Sequence, residues 1–374
     1  MPGSLSGGMG IHVWNVSREQ ARLGHDVTVF CPLREAETVD DVTFEPWEYH
    51  IPKFQTELAC HIETAKRTVA RLFKRKDWPD ILHCHEWDSA PVVSDLALYT
   101  GLPWVSTLHI SNTLNSGYMT PYFTETVCWY LWWEQMMLRS ADANISISHH
   151  YADWMRLFSQ GKPIHVVPNG VKVEDFQNGV TREKPDNRTL AFFHGRLVLQ
   201  KGIDLMVEAA KQRDDILWVI AGPLAGSDDG RRLEDGLLDD LYKLEKQGRI
   251  ILPGMISQTE VGAWLRACDV AVYPHHRAPF DLSVLEALAC GAQVVTTGVD
   301  AIAEYANTDN AFLCKPTAKS LLEAIDDSKH IRKKDVAKSV AKYTWENATK
   351  AVLKVYEGLI YGEKNNAEPE RAYQ

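Results

Sequence analysis

The sequence predicts an α/β protein of two doubly wound domains with a cleft between them. Short apolar runs alternate with amphipathic helical segments twice over along the chain. Its 374 residues, 45% hydrophobic and 24% charged, suffice for two ordinary domains with full cores. A polar stretch from Lys172 to Arg188 interrupts the alternation once and places the domain boundary at about residues 170 to 188. On that division residues 1–175 form an N-terminal domain, residues 188–345 a C-terminal domain, and residues 346–374 a last helix with a polar tail.

The net charge of −10 argues against nucleic acid or an anionic membrane as the main partner, so any phosphate binding must be local. Seven cysteines, an odd number without a close CxxC pair, read as reduced thiols of a cytosolic protein. No stretch approaches the roughly 20 apolar residues of a membrane span, and no charged-then-apolar leader opens the chain. A cytoplasmic location is the expectation.

In the first domain, Met1 to Ser6 lead into Gly7, Gly8, Met9 and Gly10 and then a helical segment from Ile11 to Leu23 that Gly24 ends. A glycine-rich turn opening a helix leaves backbone N–H groups for a phosphate or sugar, which makes Gly7, Gly8 and Gly10 candidate binding residues. It is a poor nicotinamide fingerprint, because Val13 stands where a third small residue belongs and the strand Asp26 to Cys31 ends in Pro32 without a ribose-binding acid. Such a turn should follow a central strand of about 5 to 6 apolar residues. Only six residues precede Gly7, so the expectation is a start upstream of Met1, and the alternative is a sheet without its central strand.

Trp47 to Lys76 reads as a loop and an amphipathic helix with a basic, solvated end. Asp80 to Cys84 is a buried strand leading into His85, Glu86, Trp87 and Asp88. His83 and His85 project to one side of it, but no third ligand stands at metal spacing, so no metal is expected. Leu102 to Leu108 is a strand ending in His109. Tyr118 to Trp133 carries seven aromatic residues and reads as a helix packed in the core rather than a sugar-stacking wall. His165 to Val171 is a strand closing in a Pro-Asn-Gly turn.

The second domain starts with the strand Thr189 to Phe193, followed by His194, Gly195, Arg196, Leu197, Gln200, Lys201 and Gly202. A nucleoside diphosphate needs cations that stay charged; Arg196 supplies a fork and Lys201 a compact point charge. Leu217 to Gly222 is a strand, Asp228 to Gln247 a charged helix, Ile250 to Gly254 a strand, and Ser257 to Ala267 a helix capped by Ser257 with Glu260 at the box position. In the next unit, Val270, Val272 and Tyr273 form a strand stopped by Pro274, Leu282, Leu285, Leu288 and Ala289 recur at helical spacing until Gly291, and Gln293 to Thr297 is a strand. The loop at the carboxyl end of the first of these strands faces a helix N-terminus, so an anionic ligand is expected around Ala278 to Ser283. Glu286, just inside the helix, is placed to accept from two neighbouring hydroxyls. Helices over Lys319 to Asp326, Val336 to Tyr343 and Tyr343 to about Tyr361 follow, and Asn365 to Gln374 is polar.

Gly195 to Gly202 and Pro279 to Gly291 resemble the phosphate-binding loop and the loop and helix of retaining, nucleotide-sugar-dependent glycosyltransferases of the glycogen-synthase, or group 1, kind. The likeness runs from Gly7 to about Tyr361. Gly24 to Pro32 is similar to the family's second strand, His83 to Trp87 to its His-x-His-Asp-Trp strand end with Glu86 for the aspartate, and Thr107 to His109 to its Thr-x-His. Ser140 to Ser148 resembles its last N-terminal-domain strand, and Ala301 to Tyr305 with Ala311 to Cys314 a later helix and strand.

The resemblance implies the GT-B fold, two Rossmann-like domains facing a cleft, with the last helix crossing back to the first domain. It implies transfer of a sugar from a nucleoside diphosphate sugar to a hydroxyl of a carbohydrate or other small acceptor, with retention and without metal or cofactor. Arg196 and Lys201 are then the diphosphate ligands, His109 lies beside the transferred sugar, and Phe280, Asp281, Leu282, Ser283 and Glu286 line the donor. In the donor loop the sequence departs from the family again: Ala278 stands for the first of two glutamates and Asp281 for the glycine between them. That departure keeps a nucleotide-sugar-binding paralogue without catalysis as an alternative, beside an epimerase of the same fold; the poor fingerprint disfavours a nicotinamide dehydrogenase.

Overall fold

The structure, a computed structural model, describes residues 7–31, 35–46, 78–111, 114, 125–177, 179–224 and 233–362. The expectations for Met1 to Ser6, Trp47 to Lys76, Tyr118 to Phe123 and Asn365 to Gln374 lie outside them. The chain forms two compact units, one of Met1–Thr113, Thr124–Asn169 and Trp345–Gln374, the other of Leu114–Phe123 and Gly170–Thr344.

In the first unit, α1 (Gly7–Arg22) leads into β1 (Val27–Cys31), β2 (Glu37–Val39), β3 (Val42–Pro46), β4 (Leu82–His85), α2 (Ala90–Thr100), β5 (Trp104–Leu108), α3 (Glu125–Ser140), β6 (Ala143–Ser146), α4 (His149–Arg156) and β7 (Ile164–Val166). Strands β4, β5, β6 and β7 pair in that order, all parallel. Every residue of β5 and β6 is buried, as in parallel strands covered on both faces. A separate sheet has the order β1-β3-β2, with β1 parallel and β2 antiparallel to β3. Helix α1 starts four residues before the expected Ile11, so Gly7, Gly8 and Gly10 form its first turn rather than a loop ahead of it. Gly7 supports this entry with a φ of 73°. Helix α3 turns Met137 and Leu138 inward and leaves Trp132 exposed, so at that residue the aromatic segment departs from the expected core packing.

The second unit holds β8 (Thr189–His194), α5 (Ile203–Gln212), β9 (Ile216–Ala221), α6 (Asp235–Lys246), β10 (Ile250–Gly254), α7 (Gln258–Ala267), β11 (Val270–Tyr273), α8 (Leu282–Cys290), β12 (Val294–Thr296), β13 (Phe312–Leu313) and α9 (Ala318–His330). One six-stranded sheet has the order β10-β9-β8-β11-β12-β13 and is parallel throughout. All of β9 and β11 is buried, which is why they read as unbroken apolar runs. Ser257 and Glu260 form the expected capping box on α7, and Gly291, left-handed at φ 80°, ends α8. The expected helix over Val336 to Tyr343 is shorter, Val336–Ser339. The last helix, α10 (Trp345–Tyr361), returns to the first unit, where it packs on α1 and buries Val352 and Val355.

Candidate functional site

The strand order of the second unit reverses between β8 and β11. Open parallel sheets hold ligands outside the carboxyl ends of strands at such a reversal. Two loops leave this point. One runs from His194 through Gly195, Arg196 and the tight turn Leu199–Lys201 into α5; the other runs from Pro274 through Ala278 and Asp281 into α8. They meet without room for a side chain: Gly202 has φ 75°, and a Cβ on it would lie 1.9 Å from the Pro274 carbonyl oxygen. The His276 N–H donates to the Gln200 carbonyl at 3.0 Å and ties the loops together.

Asp281 sits at this junction. As the N-cap of α8, its Oδ1 accepts the N–H of Ser283 at 2.8 Å and of Val284 at 3.4 Å. Its Oδ2 pairs with Lys201 Nζ and lies 2.5 Å from His275 Nε2. The Tyr305 hydroxyl fixes the same residue, donating to the Asp281 carbonyl at 2.9 Å. Burial would push this carboxyl up, but Lys201 and His275 outweigh it and hold it well below the usual carboxylate range. Asp281 is thus a buried anion on a helix N-terminus beside a lysine. The two groups that would seat a phosphate form an anion site, and the anion in it belongs to the chain itself.

Glu286, one turn into α8, is buried, with Oε2 2.8 Å from His194 Nε2 and Oε1 accepting from Gln258 Nε2 at 3.0 Å. His194 in turn meets the Tyr273 hydroxyl at 2.8 Å through Nδ1. Phe280 packs on Tyr305 with ring centroids 5.1 Å apart, and Leu282 and Ser283 are half-buried in the first turn of α8. Arg196 is exposed on the first loop. Ala278 is fully buried, its N–H donating to Asp300 at 3.0 Å. The second unit therefore brings Lys201, Phe280, Asp281, Leu282, Ser283 and Glu286 to the ends of β8 and β11.

His109, Gly7, Gly8 and Gly10 belong to the first unit. His109 is buried just beyond β5, its Nε2 3.0 Å from His85 Nδ1, and His12 of α1 stands edge-on to it with centroids 4.6 Å apart. Glu86, where the family has aspartate, takes a left-handed φ of 68°, a strain of about 1–3 kcal/mol for a non-glycine residue. Its Oε1 accepts the N–H of His109 at 2.5 Å and of Ile110 at 2.8 Å, which fixes where His109 sits. Burial pushes the Glu86 carboxyl well above its ordinary range against those two donors. Burial also lowers His12 to about 4 and His83 to about 3, and takes His85 and His109 well below the ordinary imidazole value.

Sequence reasoning missed His12, His275 and Gln258. The capping role of Asp281 had a signal, an aspartate directly before an apolar helical run. The convergence of His12 on His109 had none, because 97 positions separate them.

Residues 6–175 match the model of Glycosyltransferase Family 4, and residues 177–345 match that of Glycosyl transferases group 1. The chain belongs to the group 1 glycosyltransferases. This glycosyltransferase is 26% identical to a D-inositol 3-phosphate glycosyltransferase of Xylanimonas cellulosilytica over 94% of its own length and 91% of the relative's. It is 25% identical to a glycogen synthase of Mycobacterium tuberculosis, with 97% and 94% covered. Among solved structures it is similar in fold to sucrose-phosphate synthase from Thermosynechococcus elongatus, with a TM-score of 0.81, 21% identity, and 96% and 94% of the chains covered. It is similar as well to Anabaena HepE in complex with UDP and glucose, with a TM-score of 0.73, 15% identity, and 94% and 96% covered. Its fold is the α/β GT-B fold, two Rossmann-like domains. No helix among the described residues is long and apolar enough to cross a membrane.

Proposed function

We propose that this glycosyltransferase moves a sugar from a nucleoside diphosphate sugar to a hydroxyl of a carbohydrate or other small acceptor, with retention at the anomeric carbon. The observation that carries the proposal is the anion seat where the sheet order reverses, built from Lys201 and the N-terminus of α8. The bond from the anomeric carbon to the diphosphate oxygen breaks as the bond to the acceptor oxygen forms, and the acceptor proton leaves with the diphosphate. Lys201, Arg196 and the helix N-terminus stabilise the departing negative charge in the role a metal ion would otherwise play. Ala278 carries no carboxylate and both oxygens of Glu286 are engaged, which favours displacement on one face over a covalent intermediate. The same proposal places the protein in the cytoplasm; the six described cysteines, free thiols, suit a reducing compartment.

Transfer assays with a panel of nucleoside diphosphate sugars, product configuration read by NMR, test this. Arg196→Ala and Lys201→Ala should each lower turnover by about 10²-fold or more. Unchanged rates in both would remove the proposal. A second reading, a donor-binding protein without transfer, is favoured by Asp281 filling the seat and by Ala278 in place of a glutamate. It predicts donor binding without transfer or hydrolysis, with activity appearing in Ala278→Glu.

A further inference from the structure

Three imidazoles of the first unit come together from elements far apart in the chain: His12 on α1, His85 at the end of β4 and His109 beyond β5. One ring nitrogen of each lies within 4.8 Å of the others. The ring centroids are 4.6 Å apart for His12 and His109, 5.3 Å for His85 and His109, and 5.5 Å for His12 and His85. Three imidazoles sharing one zinc ion at N–Zn distances of about 2.0–2.1 Å have centroids about 5 Å apart, with neighbouring ligand nitrogens about 3.3 Å apart. His85 Nδ1 and His109 Nε2 share a hydrogen bond of 3.0 Å, close to such an edge, and a bound ion would take the place of the shared proton, which leaves to solvent.

The surroundings of His12 point to a ligand as well. It is fully buried, and its Nδ1 lies 2.7 Å from the side-chain oxygen of Asn169, an acceptor that places the proton on Nδ1. Its Nε2 is then a bare lone pair, buried and without a hydrogen-bond partner. A ligating histidine is oriented in this way, one nitrogen donating to an oxygen so that the other faces the ion. His83 behaves differently. Its nitrogens meet the Tyr356 hydroxyl and, at 2.7 Å, the Thr107 hydroxyl, so it is satisfied without an ion and serves as a control.

We propose that His12, His85 and His109 form a three-histidine site for a divalent transition-metal ion of the zinc type, with a fourth position open to water. Imidazole ligands suit zinc, copper, nickel and iron rather than magnesium or calcium. The local sequence suggested only His83 and His85; the fold replaces His83 with two ligands from other elements. His109 is also the residue assigned to the transferred sugar, so on that reading of the function the ion and the sugar compete and the ion inhibits transfer.

The test uses the full chain, freed of metal by chelator and titrated with Co²⁺ as a spectroscopic substitute for zinc. Visible d–d absorption should rise and saturate at one equivalent, zinc should displace it, and zinc should raise the melting temperature. His12→Asn and His85→Gln should each weaken binding by at least about 100-fold, whereas His83→Gln should leave it within about 2-fold of the unsubstituted chain. Zinc-edge X-ray absorption on the unsubstituted protein should find three imidazole nitrogens at about 2.0–2.1 Å, a readout that does not depend on whether a variant folds. Saturation by fewer than three imidazoles, no d–d absorption, or binding unmoved in folded His12→Asn would overturn the site. Co²⁺ binding with no sugar transfer under any condition would leave the site standing and sink the transferase proposal instead.

Discussion

Asp281 answers three demands with one carboxylate: it caps α8, neutralises Lys201 and faces His275. A glycine at this position, as in the family, would leave both the helix N-terminus and the lysine open to an outside anion. The buried histidines of the first unit set a pH dependence. Burial holds His12 to about 4 and His83 to about 3, while the unfolded chain takes up those protons at about 6.5. Between that value and the folded values the unfolded state binds more protons, so stability rises with pH through the window and is complete above it. The melting temperature, followed by circular dichroism, should fall as pH is lowered from 7 to 5, and His83→Gln should make the fall shallower. Glu86, raised by burial, works in the opposite sense, so the slope decides: one left unchanged in His83→Gln would mean that this ring does not resist protonation.

At the scale of elements, the close meeting of the two loops positions the site. Gly202 and Gly248 share a left-handed backbone, φ 75° and 67°, but a Cβ on Gly248 meets nothing within 4 Å. Gly248→Ala should therefore cost only the backbone term, about 1 kcal/mol. Gly202→Ala adds a collision with the Pro274 carbonyl and should cost ~3 kcal/mol or more. Urea denaturation of the two variants separates the contributions, and equal losses would contradict the loop contact. These elements were largely legible in the sequence. The strand from Val270, the cap at Ser257 and the stop at Gly291 are local signals, and the structure has all three. What the sequence did not disclose is pairwise and long-range. Gln258 reaches Glu286 and His275 reaches Asp281 only because a parallel sheet sets α7, β11 and α8 side by side. The exposure of Trp132 was illegible for a related reason: an aromatic-rich helix does not state which of its faces turns to the core.

For the whole molecule, the chain leaves the first unit after Asn169 and comes back to it at Trp345. Helix α10 completes that unit by burying Val352 and Val355 and by carrying Tyr356 to His83. A chain ending at Thr344 should lose the protection of α1 and β4 in amide hydrogen exchange while the β8–β13 sheet stays protected; full protection of both would show that α10 is dispensable. On the proposed function, the second unit holds a diphosphate where Asp281 now keeps its own charge. Titration calorimetry with UDP, ADP and GDP in turn tests it most directly, on the native chain, on Asp281→Asn, which keeps the cap without the charge, and on Asp281→Gly. Removing the like charge of Asp281 from the seat should tighten the preferred diphosphate by at least about 10-fold in both variants, and Lys201→Ala should weaken it. Affinity that is unchanged or lower in both Asp281 variants would contradict the account.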